Sequence, residues 1–148
     1  MIELEEFDKL VRKHFHFLET DFGYECKGSE NIPFMFFVKY VKDFMMVSVG
    51  LAYRHDYIEV YIFDKIHLYT PTTQNYKHSV NIFQLVRIKK GKATLTDEEA
   101  ENLMPSTISY DESLERFAIL LKEYGKEVLT GKKWIRNEKL VSRFWMMF

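Results

Sequence analysis

Residues 34–63 read as three consecutive β-strands whose two faces are both apolar, and a sheet of that kind needs cover on both sides. Phe34–Val41, Phe44–Tyr53 and Tyr57–Phe63 are rich in β-branched and aromatic residues, the types that suit a pleated surface. Two-residue turns at Lys42-Asp43 and His55-Asp56 lay them side by side. In the first hairpin Tyr40 then faces Met45, Val38 faces Val47, Phe36 faces Val49 and Phe34 faces Leu51. In the second, Tyr53 faces Ile58, Leu51 faces Val60 and Val49 faces Ile62, while Gly50 faces Tyr61 and Ser48 faces Phe63 on the other side. The two registers agree on a core face of Phe34, Phe36, Val38, Tyr40, Met45, Val47, Val49, Leu51, Ile58, Val60 and Ile62. A slip of one residue would flip every one of them. The opposite face holds Met35, Phe37, Lys39, Met46, Ser48, Gly50, Ala52, Glu59, Tyr61 and Phe63, a shallow trough floored by Ser48, Gly50 and Ala52. Its cover must be the chain's own helices, a second copy or another molecule.

Helical patterns flank the strands. Leu4, Phe7, Val11, Phe15, Leu18 and Phe22 recur at helical spacing over 3–22, and Gly23 stops that helix. Tyr24–Lys27 suits a short strand, Gly28–Asn31 a polar turn, and Pro33 the start of the sheet. Residues 67–80 read as a long polar loop. Residues 80–90 fit a short helix or a strand. Thr96 with Glu99, and Ser109 with Glu112, make capping-box patterns. The first opens a short helix ending before Pro105. The second opens a helix bearing Leu114, Phe117, Ala118, Leu121, Tyr124 and Val128, ended by Gly131. A last helix over 132–148 sets Trp134, Val141, Phe144, Trp145 and Phe148 against Lys132, Arg136, Lys139 and Arg143. The expected fold is one α+β domain over 1–148. An N-terminal helix and C-terminal helices pack on an antiparallel meander of three to four strands.

A chain of 148 residues, 47% hydrophobic and 29% charged, has globular composition and room for a core. A formal net charge of −1 exerts no general pull on nucleic acid or anionic membrane. The lone Cys26 excludes an internal disulfide framework and suits a reducing compartment. The acidic, periodic start Met1–Glu6 does not resemble a signal peptide, and no apolar run is long enough to span a bilayer. A cytoplasmic protein is expected.

Motifs with chemistry are few. His14 and His16 leave a helix on different sides, so they do not chelate one metal. Cys26 has no neighbouring base to make it a nucleophile. Lys89-Lys90-Gly91-Lys92 lacks the glycine spacing and following hydroxyl of a phosphate loop. Arg54, His55 and Asp56 at a hairpin tip are accounted for by turn chemistry, with a partner contact as the functional reading. No catalytic residue, cofactor or metal is expected. The basic stripe of the last helix has two readings: the aromatics dock on the chain's own sheet, or the cations meet a membrane, a nucleic acid or a partner.

The helix ending Leu120-Leu121-Lys122-Glu123-Tyr124-Gly125-Lys126-Glu127-Val128-Leu129-Thr130-Gly131, set after a helix and an antiparallel meander, resembles small uncharacterised bacterial proteins. Some of these are encoded beside polymorphic toxins and are suspected immunity proteins. The resemblance implies an immunity-type protein acting by contact with a toxin, and carries over no functional position. The expected function is therefore a non-catalytic protein-binding module. Its surface would be Phe37, Lys39, Glu59, Tyr61 and Phe63, with the tip residues Arg54, His55 and Asp56, and its partner a toxin-like protein or a second copy. One alternative is an enzyme or small-ligand binder using His55, Asp56, His67 and His78 around the 67–80 loop. The other is surface binding to nucleic acid or membrane through the basic C-terminal helix.

Overall fold

The apolar stripe at the N-terminus forms as its spacing predicts, but on two helices. In the computed structural model, which describes residues 2–43, 45–64, 79–90 and 97–130, α1 spans Leu4–His14 and α2 spans Phe17–Thr20. The single helix expected over 3–22 breaks because of Phe17. Two positions beyond Phe15, it would leave a continuous helix on the far side; the break lets both rings bury. Gly23 takes a left-handed φ of 76° and reverses the chain, and the Tyr24 N–H donates to the Leu18 carbonyl at 2.8 Å.

Five antiparallel strands follow, each hydrogen-bonded to the next in chain order. They are β1 (Glu25–Ile32), β2 (Met35–Lys42), β3 (Met45–Ala52), β4 (Tyr57–Asp64) and the short β5 (Ser79–Asn81). The meander is thus longer than the three to four strands expected. β1 runs through the predicted turn at Gly28–Asn31. A bulge between Cys26 and Gly28 absorbs the irregularity, and Gly28 supplies its positive φ of 95°.

Phe34 is not a core strand residue. Pro33 and Phe34 form the two-residue turn between Ile32 and Met35. Pro33 suits the first turn position, and the second takes the left-handed φ of 70° at Phe34. The ring is left 53% exposed. Its N–H donates to the Tyr53 hydroxyl at 2.9 Å, and the Arg54 guanidinium lies 4.1 Å over its ring.

Both predicted hairpin registers are displaced by two residues. Tyr40 pairs with Val47, Val38 with Val49 and Phe36 with Leu51. Leu51 pairs with Ile58 and Val49 with Val60, while Gly50 lies beside Glu59 rather than Tyr61. The turns are later or longer than supposed: Lys42, expected in the first turn, pairs with Met45 instead, and the second turn is the loop 53–56. Asp43 and Asp56 take the left-handed conformation, with φ of 50° and 49°, which aspartate tolerates better than most residues. An even slip preserves the faces. Phe36, Val38, Tyr40, Val47, Val49, Leu51, Ile58, Val60 and Ile62 are all buried.

The chain then folds its helices onto that inner face. Residues 79–81, predicted as loop and ambiguous chain, pair with β4 instead. The ambiguous stretch after them is a helix, α3 (Ile82–Lys90). Asn81 and Gln84 cap it reciprocally: the Gln84 N–H donates to Asn81 Oδ1 at 2.8 Å, and the Asn81 N–H to Gln84 Oε1 at 3.0 Å. A short α4 (Asp97–Glu101) precedes α5 (Tyr110–Tyr124), whose Ser109 cap accepts the Glu112 N–H at 3.1 Å as predicted. Phe7, Val11, Leu85, Leu114, Phe117 and Leu121 join the inner strand residues in one apolar cluster.

Helix α5 ends at Gly125, not Gly131, and a separate turn, α6 (Lys126–Leu129), follows. A Cβ at Gly125 would stand 2.6 Å from the Leu121 carbonyl oxygen and 2.9 Å from its Cδ1. Tyr24 reaches α6 by donating its hydroxyl to the Leu129 carbonyl at 2.9 Å. Asp111, in the first turn of α5, meets His14 Nε2 at 2.5 Å and Lys13 Nζ at 3.5 Å. The hydrogen bond from His14 and then the charge of Lys13 hold its carboxyl below the usual range. The candidate C-terminal helix, with Lys132, Arg136, Lys139 and Arg143, lies outside the described residues.

Two outcomes are expected. Gly125→Ala forces its methyl into backbone and lowers stability by about 1–3 kcal/mol, read as a fall in denaturation midpoint. Stability also declines as pH rises above the ordinary tyrosine value of 10.0, because burial raises Tyr24 and Tyr40 above it. Burial and the hydrogen bond to Asp56 push Tyr110 up to about 12. The folded state keeps protons that the unfolded chain releases, so the loss is absent below that pH and grows above it. The Tyr40 hydroxyl is buried without a hydrogen-bond partner, so Tyr40→Phe is expected to hold stability at neutral pH and shrink the alkaline loss in pH-resolved melts.

Candidate functional site

Alternation in β2, β3 and β4 sends a second set of side chains away from the core. Reading across the strands gives three rows. Glu30, Phe37, Gly50 and Glu59 form the first; Gly28, Lys39, Ser48, Tyr61 and Asn81 the second; Val41, Met46, Phe63 and Ser79 the third. Five predicted site residues, Phe37, Lys39, Glu59, Tyr61 and Phe63, therefore share this face. Neither they nor Met35 and Met46 belong to the apolar cluster, and the helices of that cluster lie on the other side.

The floor of the trough is narrower than expected. Around Gly50, a Cβ would meet Met35 Sδ at 3.2 Å, and the Phe36 carbonyl oxygen and Phe37 Cβ both at 3.3 Å. Met35 and Phe37 thus lean over β3 and bury Gly50. On β4, Tyr61 and Phe63 stack with centroids 5.7 Å apart. Ile32, 47% exposed, and Tyr57, 39% exposed, extend the apolar surface at one end. Neither is among the contact residues expected from the sequence. Alternation continued through Glu30 and Ile32 would have found the first, and Tyr57 stood in plain alternation with Glu59.

The two charges of the face are treated differently. Lys39 Nζ pairs with Glu30 Oε1 at 2.7 Å. Glu59 has no ion pair with a described cation, and burial pushes its carboxyl above the usual value of 4.5. Beside it a recess of about 90 Å³ is lined by Tyr57, Glu59, Tyr61, Asn81 and Phe83, with Ile58, Val60 and Ile82 behind.

The hairpin tip is only partly available. Arg54 covers the Phe34 ring, and Asp56 accepts a hydrogen bond from the Tyr110 hydroxyl, which ties the tip to the start of α5. His55 is exposed, its N–H donating to the Ala52 carbonyl at 3.1 Å. His67 and His78 lie outside the described residues. A groove of about 370 Å³ between α4 and α5 is lined by Glu99, Asn102, Leu103, Arg116, Ile119 and Leu120, and contains neither His55 nor Asp56. His14 and His16 face separate acids, Asp111 and Glu19. Among the described residues, no group of three or more histidine, cysteine or acidic side chains is placed to hold a metal. No helix among them is long and apolar enough to cross a membrane. No family model, curated protein or solved structure matches this chain.

The raised carboxyl of Glu59 carries a sign. Its charge opposes folding once the pH exceeds the folded value and costs nothing below 4.5, where both states are protonated. Glu59→Gln is expected to raise the melting temperature near pH 7, with the gain gone by about pH 4, as calorimetry at the two pH values will read.

Proposed function

We propose that this domain is a non-catalytic protein-binding module whose outward sheet face receives the partner. The observation that supports it is the set Met35, Phe37, Met46, Tyr61 and Phe63, gathered on one side of the sheet and outside the apolar cluster that the helices join. Interface cores are enriched in these residue types. Among the described residues the groups around the site form no nucleophile–base pair, and the adjoining recess of about 90 Å³ falls well short of the ~300–1,000 Å³ typical of small-molecule sites. With the resemblance noted for Leu120–Gly131, the partner would be a toxin-like protein met in the cytoplasm and blocked by contact.

A photo-cross-linking amino acid in place of Phe37 or Phe63 tests this, with the exposed Glu115 position on α5 as control. In extract of the source cells, the face positions are expected to give a discrete adduct that Tyr61→Asp abolishes in a chain still folded by circular dichroism. No adduct from the face, or the same adducts from position 115, refutes the reading.

A further inference from the structure

The last described residues, at the end of α6, lie beside the rim of the outward face. The Tyr24 hydroxyl donates to the Leu129 carbonyl at 2.9 Å, and the Lys42 ammonium lies 5.9 Å over the Tyr24 ring. Leu129 is therefore held at the end of the sheet where β1 begins. Glu25 pairs there with Val41, Val41 with Met46 and Met46 with Phe63. A segment continuing from this point has only to round the end of the sheet to meet Met46 and Phe63; the helical layer does not stand in its way.

Residues 131–148 have the chemistry to stay on that face. Trp134, Val141, Phe144, Trp145 and Phe148 make an apolar stripe, while Lys132, Lys133, Arg136, Lys139 and Arg143 stand against a single acid, Glu138. That is a net of +4 in a chain whose formal total is −1, which leaves −5 on residues 1–130. At helical rise the segment reaches about 27 Å, and a strand of eight residues such as β2, β3 or β4 runs about 26 Å. The inner face is already closed by α1, α3 and α5. The groove of about 370 Å³ between α4 and α5 offers Leu103, Ile119 and Leu120, too few to match a stripe of five. The outward face offers Met35, Phe37, Met46, Tyr61 and Phe63, with the carboxylate of Glu59 among them for a cation of the segment.

Resting on the binding face proposed above, we infer that residues 131–148 are an autoinhibitory strap, which covers that face in the free protein through Trp134, Val141, Phe144, Trp145 and Phe148 and which the partner displaces. Strap and partner compete for one apolar surface, so the apparent affinity for the partner falls in proportion to the fraction of molecules left open.

The test uses the full chain with a nitroxide at Asn137→Cys and Cys26→Ala, read by broadening of ¹H–¹⁵N signals. The Ser48, Gly50 and Tyr61 amides are expected to broaden more than those of Asn102 and Ile119, and Trp134→Asp with Trp145→Asp to abolish the difference. The same pair is expected to raise the adduct from a photo-cross-linker at position 37 about tenfold, as a strap closed about nine-tenths of the time requires. Trp145→Asp alone repeats the release if circular dichroism shows the pair unfolded. Broadening centred on Asn102 and Ile119, none on the face, or broadening of an unlabelled chain by a labelled second copy overturns the strap and leaves the face to the cross-linking test. Face broadening with an unchanged adduct yield overturns its inhibitory role. No adduct from either chain refutes the binding face, and the regulation with it, even where the broadening stands.

Discussion

The inner face of the sheet is the surface against which the rest of the chain is built. Nine side chains from β2, β3 and β4 lie on it fully or almost fully buried, and α1, α3 and α5 each present an apolar stripe to it. Burying a large apolar side chain contributes about 1.5–3 kcal/mol, so this seam outweighs the other contacts among the described residues. The polar ties come second: Tyr24 to α6, Asn81 with Gln84 at the start of α3, His14 with Asp111 between α1 and α5. They settle where helices begin and stop on a surface already chosen by the apolar pattern.

How much of this was legible from residue types follows from what each signal measures. Alternation reports parity, so the two faces came out right although both hairpins were displaced by two residues. Register depends on turns, and neither Lys42-Asp43 nor His55-Asp56 carries the Asn-Gly chemistry that fixes a tight turn. Phe34 was misplaced because its hydrophobicity favoured the core, whereas Pro33 before it set up a turn with a left-handed second position. Gly125 was passed over because a glycine between Tyr124 and Lys126 reads as a tolerated interruption. Its necessity lies in a contact with the preceding turn of the helix, which no local pattern records.

The candidate face was legible to the same extent and for the same reason. Parity alone gathered Phe37, Lys39, Glu59, Tyr61 and Phe63. Parity does not distinguish Lys39, neutralised by Glu30, from Glu59, which pairs with no described cation, because the residues around Glu30 carry the pattern of a turn. Nor could it tell that Asp56 is held by Tyr110 of a helix 54 residues away in sequence. The tip therefore acts mainly as a clasp between the meander and the helical layer.

The bulge in β1 bears on how such a molecule keeps to itself. A flat outer strand with a free row of amides invites a neighbour's strand to zip onto it, and stacked repeats of that event end in fibres. Here the row is kinked between Cys26 and Gly28 and studded with Glu25, Lys27 and Glu30. A twin approaching this rim meets mismatched spacing and charge, which works against strand-to-strand pairing there.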